Sequence, residues 1–196
     1  MQQEQKWVDP TPASLFLVFV TALILWAFFT GRMGPEAAPI IGALLLGFGI
    51  MWFIGGIVNF RIGDVLGGTI NAVFGALLGI SPGISFLVVA YAGTAGISVD
   101  PRANGWLLLL TGICFIPLLI AIAKRSWLIS LTLLVLGVSF ILIGLTFAGY
   151  LSASTLTVAG WLLFVGGISM FYIASAIVID TSFAKNILPI GGPLVR

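Results

Sequence analysis

The eight basic and six acidic residues of this 196-residue chain all fall outside its long apolar stretches. Charge-free intervals run over 10–31, 37–60, 65–99, 103–123 and 126–179. An α-helix needs about 20 mostly apolar residues to cross the hydrocarbon core of a bilayer. The first, second and fourth intervals suit one crossing each, and the third suits one long crossing with a loop. The fifth is too long for a single helix and breaks at the polar stretch 149–157. The pattern predicts an all-α integral membrane protein with six transmembrane helices, at about 14–31, 38–59, 65–91, 105–123, 128–148 and 159–180.

The composition agrees. Only 7% of residues are charged, against roughly a quarter in soluble domains. The short links leave no room for a soluble domain, so the expected organisation is an N-terminal segment 1–12, a membrane domain 13–182 and a tail 183–196. The first apolar run reads as a retained helix, because its leader is mixed in charge and the run ends in bulky Trp26, Phe28 and Phe29. Lys6, Arg61, Lys124, Arg125, Lys185 and Arg196 fall on one side of the membrane, and only Arg32 and Arg102 on the other. The positive-inside rule then puts both termini in the cytoplasm, and the expected membrane is the plasma (inner) membrane. Trp7, Trp26, Trp106, Trp127 and Trp161 stand near segment ends, at the headgroup level that Trp favours.

Glycine organises the second and third segments. Gly42, Gly49 and Gly56 recur every seven residues, and Gly75, Gly79 and Gly83 every four. Small residues so spaced let membrane helices pack closely, within the protomer or between subunits. Ser81-Pro82-Gly83 interrupts the third segment, and proline's missing donor predicts a kink or break near Ile80.

With no charge at membrane depth and no histidine anywhere, chemistry is left to weak polar groups. These are Thr21, Asn59, Thr69, Asn71, Thr111, Ser130, Thr132, Ser169, Tyr172 and Ser175. Hydroxyls can return to their own helix carbonyls, but the amide of Asn71 needs another helix, water or a solute. Asp64 reads as a loop charge or helix N-cap, Asp180 as an interfacial residue, and the single cysteine, Cys114, as a small packing residue. Nothing supplies an activated nucleophile or a metal site, so no enzyme, cofactor or metal is expected. The lack of a basic stripe argues against nucleic acid.

Three local patterns go further. Asp9-Pro10-Thr11-Pro12-Ala13-Ser14-Leu15 precedes the first crossing, Gly63-Asp64-Val65-Leu66-Gly67-Gly68-Thr69 opens the third, and Leu188-Pro189-Ile190-Gly191 follows the sixth. With Ala159-Gly160-Trp161 and Phe171-Tyr172 in the last helix, these resemble the acetate uptake transporter family, of the succinate–acetate permease type. That family carries an Asn-Pro-Ala-Pro-Leu-Gly-Leu signature at helix one and a Leu-Pro-Ile-Gly-like tail. This chain has Asp9 in place of the Asn, Thr11 of the Ala, and Ala13-Ser14 of the Leu-Gly, with Asn59 and Ile177 where members can carry Glu.

The resemblance implies a homohexamer with one pore per protomer, passing acetate and related small carboxylates such as succinate. It puts an apolar constriction at Val18, Phe74 and Leu131, where the family has an aromatic residue at the first position and can have Tyr at the second. An apolar constriction gates by dewetting, and Thr69, Asn71, Thr132 and Tyr172 are the neutral donors available to line the path and bind solute. The expected function is therefore a channel or permease for acetate-like monocarboxylates in contact with membrane lipid. The alternatives are a channel for small neutral solutes such as urea and a non-conducting assembly subunit.

Overall fold

The computed structural model describes residues 7–194. Six helices are long and apolar enough to cross a membrane: α1 (Thr11–Phe29), α2 (Ala38–Arg61), α3 (Val65–Ala95), α4 (Arg102–Ile122), α5 (Trp127–Phe147) and α6 (Thr155–Phe183). The described residues contain no strand. Helix starts follow local chemistry. Pro12 and Pro39 occupy first turns, where a missing N–H costs nothing. Asp64 accepts the Gly67 N–H at 3.1 Å to cap α3, and the Ser126 hydroxyl accepts the Ile129 N–H to cap α5. Gly96, at φ +67°, ends α3 in the left-handed region.

Both ends of the described chain lie on one face with the α2–α3 and α4–α5 links. There the Leu194 N–H donates to the Ala123 carbonyl and the Trp127 N–H to the Gly192 carbonyl. This face carries Arg61, Lys124, Arg125 and Lys185, and the opposite face carries Arg32 and Arg102. Lys6 and Arg196, counted with the first group, lie outside the described residues. On the opposite face the Arg32 guanidinium sits over Trp26, 4.3 Å from its ring centroid, and near Trp161 at 5.2 Å.

The two glycine stripes meet each other inside the protomer. A Cβ at Gly49 would collide with the backbone of Gly79 and Ile80, one at Gly75 would lie 2.7 Å from the Phe53 nitrogen, and one at Gly83 2.6 Å from the Leu46 nitrogen. α2 and α3 therefore run backbone on backbone, which membrane helices use to gain dispersion contact when solvent provides no hydrophobic drive. A second glycine pair lies outside those two stripes. Gly105 and Gly112 on α4 press against Gly144 and Gly137 on α5, and a Cβ at Gly112 would stand 2.9 Å from the Gly137 carbonyl oxygen. α1 and α6 pair through aromatics, with the Phe19 and Phe171 rings 4.9 Å apart.

The helix does not break near Ile80 but widens its turn there. Residues Gly75–Ile80 are π-helical, and the Ser81 N–H reaches back to the Ala76 carbonyl. α-Helical winding resumes over Ser81–Ala95 with Pro82 in its first turn. Widening the turn ahead of Pro82 accommodates the missing donor without breaking the helix. Cys114, expected to pack, is exposed on the protomer surface.

The α2–α3 contact is directly testable. Gly49→Ala should destabilise the protein by about 1–3 kcal/mol, since the methyl has only backbone to displace. Gly47→Ala, where nothing lies within 4 Å, should be neutral or gain up to about 1 kcal/mol in helix propensity. Thermal unfolding of the two variants in detergent checks the difference.

Candidate functional site

A cavity of about 110 Å³ lies at the centre of the bundle, several times the roughly 10–15 Å³ that one water needs. α1 contributes Thr11, Leu15, Val18 and Ala22 to its wall, a spacing of three and four residues that puts them on one helix face. α3 contributes Ile70, Asn71, Phe74 and Leu78, α5 contributes Leu133, Leu136 and Phe140, and Trp52, Phe115, Leu163 and Met170 come from the remaining helices. Toward the chain-end face the wall turns polar at Thr11, Gly67, Asn71 and Arg125.

This mouth is built from two connected sets. Asn71 Nδ2 donates to Asn59 Oδ1 at 2.7 Å, and Asn59 Nδ2 donates to Asp9 Oδ1 at 3.3 Å. The same Asp9 oxygen accepts the Thr11 N–H at 2.9 Å and its hydroxyl at 2.6 Å. Asn59 is fully buried, so the relay fixes the Asn71 amide at the wall and ties the N-terminal segment to α2 and α3. Asn71 thus both bonds between helices and lines the cavity.

The second set is an ion pair. Arg125 Nη2 donates to Asp64 Oδ1 at 2.7 Å, with side chains 52% and 19% exposed respectively. Asp64 is therefore an N-cap, as one reading had it, and also the partner that positions Arg125. Its carboxyl is held below the ordinary 3.8, first by the Arg125 hydrogen bond against an opposing desolvation, and then by the Gly67 N–H. Arg125 is pushed up, mainly by the same bond. A cation therefore stands at the mouth, although none lies inside the apolar segments.

Deeper in, three phenyl rings span the bundle. Phe74 and Phe115 are stacked with centroids 4.3 Å apart, and Phe115 and Phe140 at 6.1 Å, both pairs tilted by only 15°. All three are buried, at 2%, 3% and 7% exposure. Leu78 and Phe140 also wall a smaller cavity of about 20 Å³ beyond the stack. Phe86, Asn104 and Phe147 in turn link that cavity to a third of about 300 Å³, which is also lined by Asp100 and Pro101 on the opposite face. The three cavities adjoin in sequence through these shared wall residues, with the aromatic stack in the wall of the first and the third open at the surface beside Val88 and Val89.

The expected site residues divide on this geometry. Val18, Phe74 and Asn71 share the wall. Leu131 does not meet them: it is 50% exposed on the outer surface, and α5 presents Leu133, Leu136 and Phe140 inward instead. Thr69 and Thr132 lie outside the wall and donate to the carbonyls of Val65 and Leu128, both at 2.8 Å. The Tyr172 hydroxyl donates to the Pro189 carbonyl at 2.9 Å, so it anchors the tail.

The terminal motifs are structural ties around the mouth. Pro10 packs beside Gly55, and Pro12 opens α1. Asp180 accepts the Ile187 and Leu188 N–H groups at 2.7 and 3.1 Å. The Ser126 hydroxyl donates to the Ile190 carbonyl, and Gly191, at φ +79°, lies where a Cβ would strike the Trp127 indole. The tail thus braces the link that carries Arg125. Sequence reasoning missed Phe115, Phe140 and the placement of Arg125.

The fold and cavity define a multi-pass, all-helical membrane protein whose helices enclose a central cavity. No protein-family model matches the sequence, and no curated protein matches it. Among solved structures, the chain is similar to "Structure of the bacterial acetate channel SatP", at 22% identity and a TM-score of 0.81. The match covers 95% of this chain and 100% of that one, so the two share the complete six-helix fold.

The ion pair predicts a pH dependence. Because the folded value of Asp64 is lowered, its contribution is complete at neutral pH and disappears as pH falls below 3.8 through that lowered value. Asn also caps helices well, so Asp64→Asn isolates the charge. It should cost about 0.5–1 kcal/mol near pH 7, Arg125 being half exposed, and almost nothing near pH 2. Melting temperatures at the two pH values check this; an equal deficit at both would assign Asp64 another role.

Proposed function

We propose that this chain is a channel of the acetate uptake transporter family, conducting acetate and related small carboxylates through the bundle of each protomer. The observation that carries the reading is the series of three adjoining cavities, with Arg125 and Asn71 at the mouth of the first and the Phe74–Phe115–Phe140 stack in its wall. The fold shared with a bacterial acetate channel supports the solute class.

The chemistry follows from the wall. A carboxylate loses hydration on entering, and burying it unpaired is costly. Arg125 and the Asn71 amide supply charge-assisted and neutral donors at the mouth. The stacked rings offer none, so they exclude large or strongly hydrated solutes and admit a short acid with an apolar end. Val18 and Phe74 belong to this constriction in our reading, with Phe115 and Phe140 in the role first expected of Leu131. Arg125 favours an anion over urea, which an uncharged mouth would suit as well. The basic residues on the chain-end face support cytoplasmic termini in a plasma (inner) membrane. The apolar outer surface, including Ile40, Met51 and Ile54, supports contact with lipid and with other copies in a homohexamer.

Flux into proteoliposomes tests the reading. Acetate uptake that other short carboxylates inhibit supports it; urea uptake insensitive to acetate supports the neutral-solute channel; no flux of either supports an assembly subunit. Phe74→Ala should widen the constriction and raise succinate uptake relative to acetate by about tenfold (about 1.4 kcal/mol), and unchanged size selectivity would count against the stack as gate. Asn71→Leu should reduce acetate flux while the protein still assembles; wild-type flux would return Asn71 to a packing role.

A further inference from the structure

Most buried hydroxyls in this bundle have partners. Thr111 donates to the Leu107 carbonyl at 2.7 Å, Ser130 to Ser126 at 2.9 Å and Thr132 to Leu128 at 2.8 Å, each four residues back along its own helix. Ser139 crosses to the Ala159 carbonyl at 3.0 Å. Thr21 breaks the pattern. Its residue is 4% exposed, it lines the central cavity, and its Oγ has no partner. The Leu17 carbonyl stands at the usual four-residue offset, yet the hydroxyl does not bond to it. The bilayer has no water to offer in compensation, so the partner must come through the cavity.

Its depth is informative. Thr21 lies ten residues along α1 from Thr11 at the mouth, about 15 Å at 1.5 Å per residue, or near the middle of a hydrocarbon core about 30 Å thick. The mouth donors end at Asn71, and the next polar side chain along the series is Asn104 beyond the stack. The walls between are apolar apart from Thr21: Val18, Ala22, Leu78, Leu163 and Met170.

Resting on the acetate reading, we propose that Thr21 is a solute-binding residue: its hydroxyl hydrogen-bonds the carboxyl group of a short monocarboxylate at the midpoint of the path. A hydroxyl both donates and accepts, so it can serve a carboxylate leaving the mouth donors without holding it as a fixed cation would.

The test uses the full-length protein in proteoliposomes with radiolabelled acetate. Thr21→Val keeps the branched shape and removes the hydroxyl; Thr21→Ser keeps the hydroxyl and removes a methyl. The proposal expects acetate flux in Thr21→Val to fall at least tenfold with an unchanged or raised melting temperature, and Thr21→Ser to stay within twofold of wild type. Should Thr21→Val fail to fold, Thr21→Ala replaces it with the same expectation. Wild-type flux without the hydroxyl overturns the proposal, as does an equal loss in the Val and Ser variants, which would mean packing. A wild-type protein that carries no acetate removes the transport reading and this proposal together, whereas normal wild-type flux with a fast Thr21→Val removes Thr21 alone.

Discussion

Backbone contact between α2 and α3 positions most of what faces the cavity. Gly49 seats against Gly75 and Gly79, and no side chain larger than hydrogen fits between. With that face of α3 pressed outward on α2, its other face must look into the bundle, carrying Asn71, Phe74 and Leu78. The π-helical turn Gly75–Ile80 keeps Gly75 and Gly79 on the contact while accommodating Pro82. The α4–α5 glycine pair does the same on the other side and presents Phe115 to Phe74. Inside a membrane, where apolar packing gains nothing from leaving lipid, this shape fit takes the place of a hydrophobic core.

In the proposed channel the path is polarised. Its mouth on the chain-end face has a cation, an amide relay and a buried asparagine, braced by the segment 9–11 and the tail 187–194. Its middle has three stacked rings and one hydroxyl. An anion is favoured at the mouth, where Arg125 is half exposed and the local dielectric is high, and disfavoured in the stack. Selection by charge and selection by size are therefore separated along the path. In that reading Arg125 attracts solutes without trapping them, because it stays paired with Asp64 and an entering carboxylate competes with that partner for its donors.

The sequence made the six helices legible because charge exclusion is local to each segment, and the glycine stripes legible because their period is. It did not reveal which way each helix is turned. α4 and α5 are apolar all round, so lumen-facing Phe115 and Phe140 look no different in sequence from lipid-facing neighbours. Each residue turns a helix by about 100°, and Leu131 therefore falls on the outer surface while Leu133 and Leu136 face in. The Arg125–Asp64 pair joins residues 61 apart, beyond any local pattern. Asn59, one of the ten polar candidates and a departure from a family position, proved to be the pivot linking Asp9 to Asn71. Thr21 stood among ten polar candidates, and it is set apart by a buried, unpartnered hydroxyl on the cavity wall.

The central claim is that solute passes through this protomer's own bundle between α1 and the Phe74–Phe115–Phe140 stack. Cysteine accessibility tests it most directly. Val18→Cys, in a background where exposed Cys114 is replaced by Ser, is reconstituted and treated from the chain-end face with a small charged thiol reagent. The account predicts that modification abolishes acetate flux and that excess acetate slows the modification. Complete modification of Cys at position 18 with unchanged flux would contradict it.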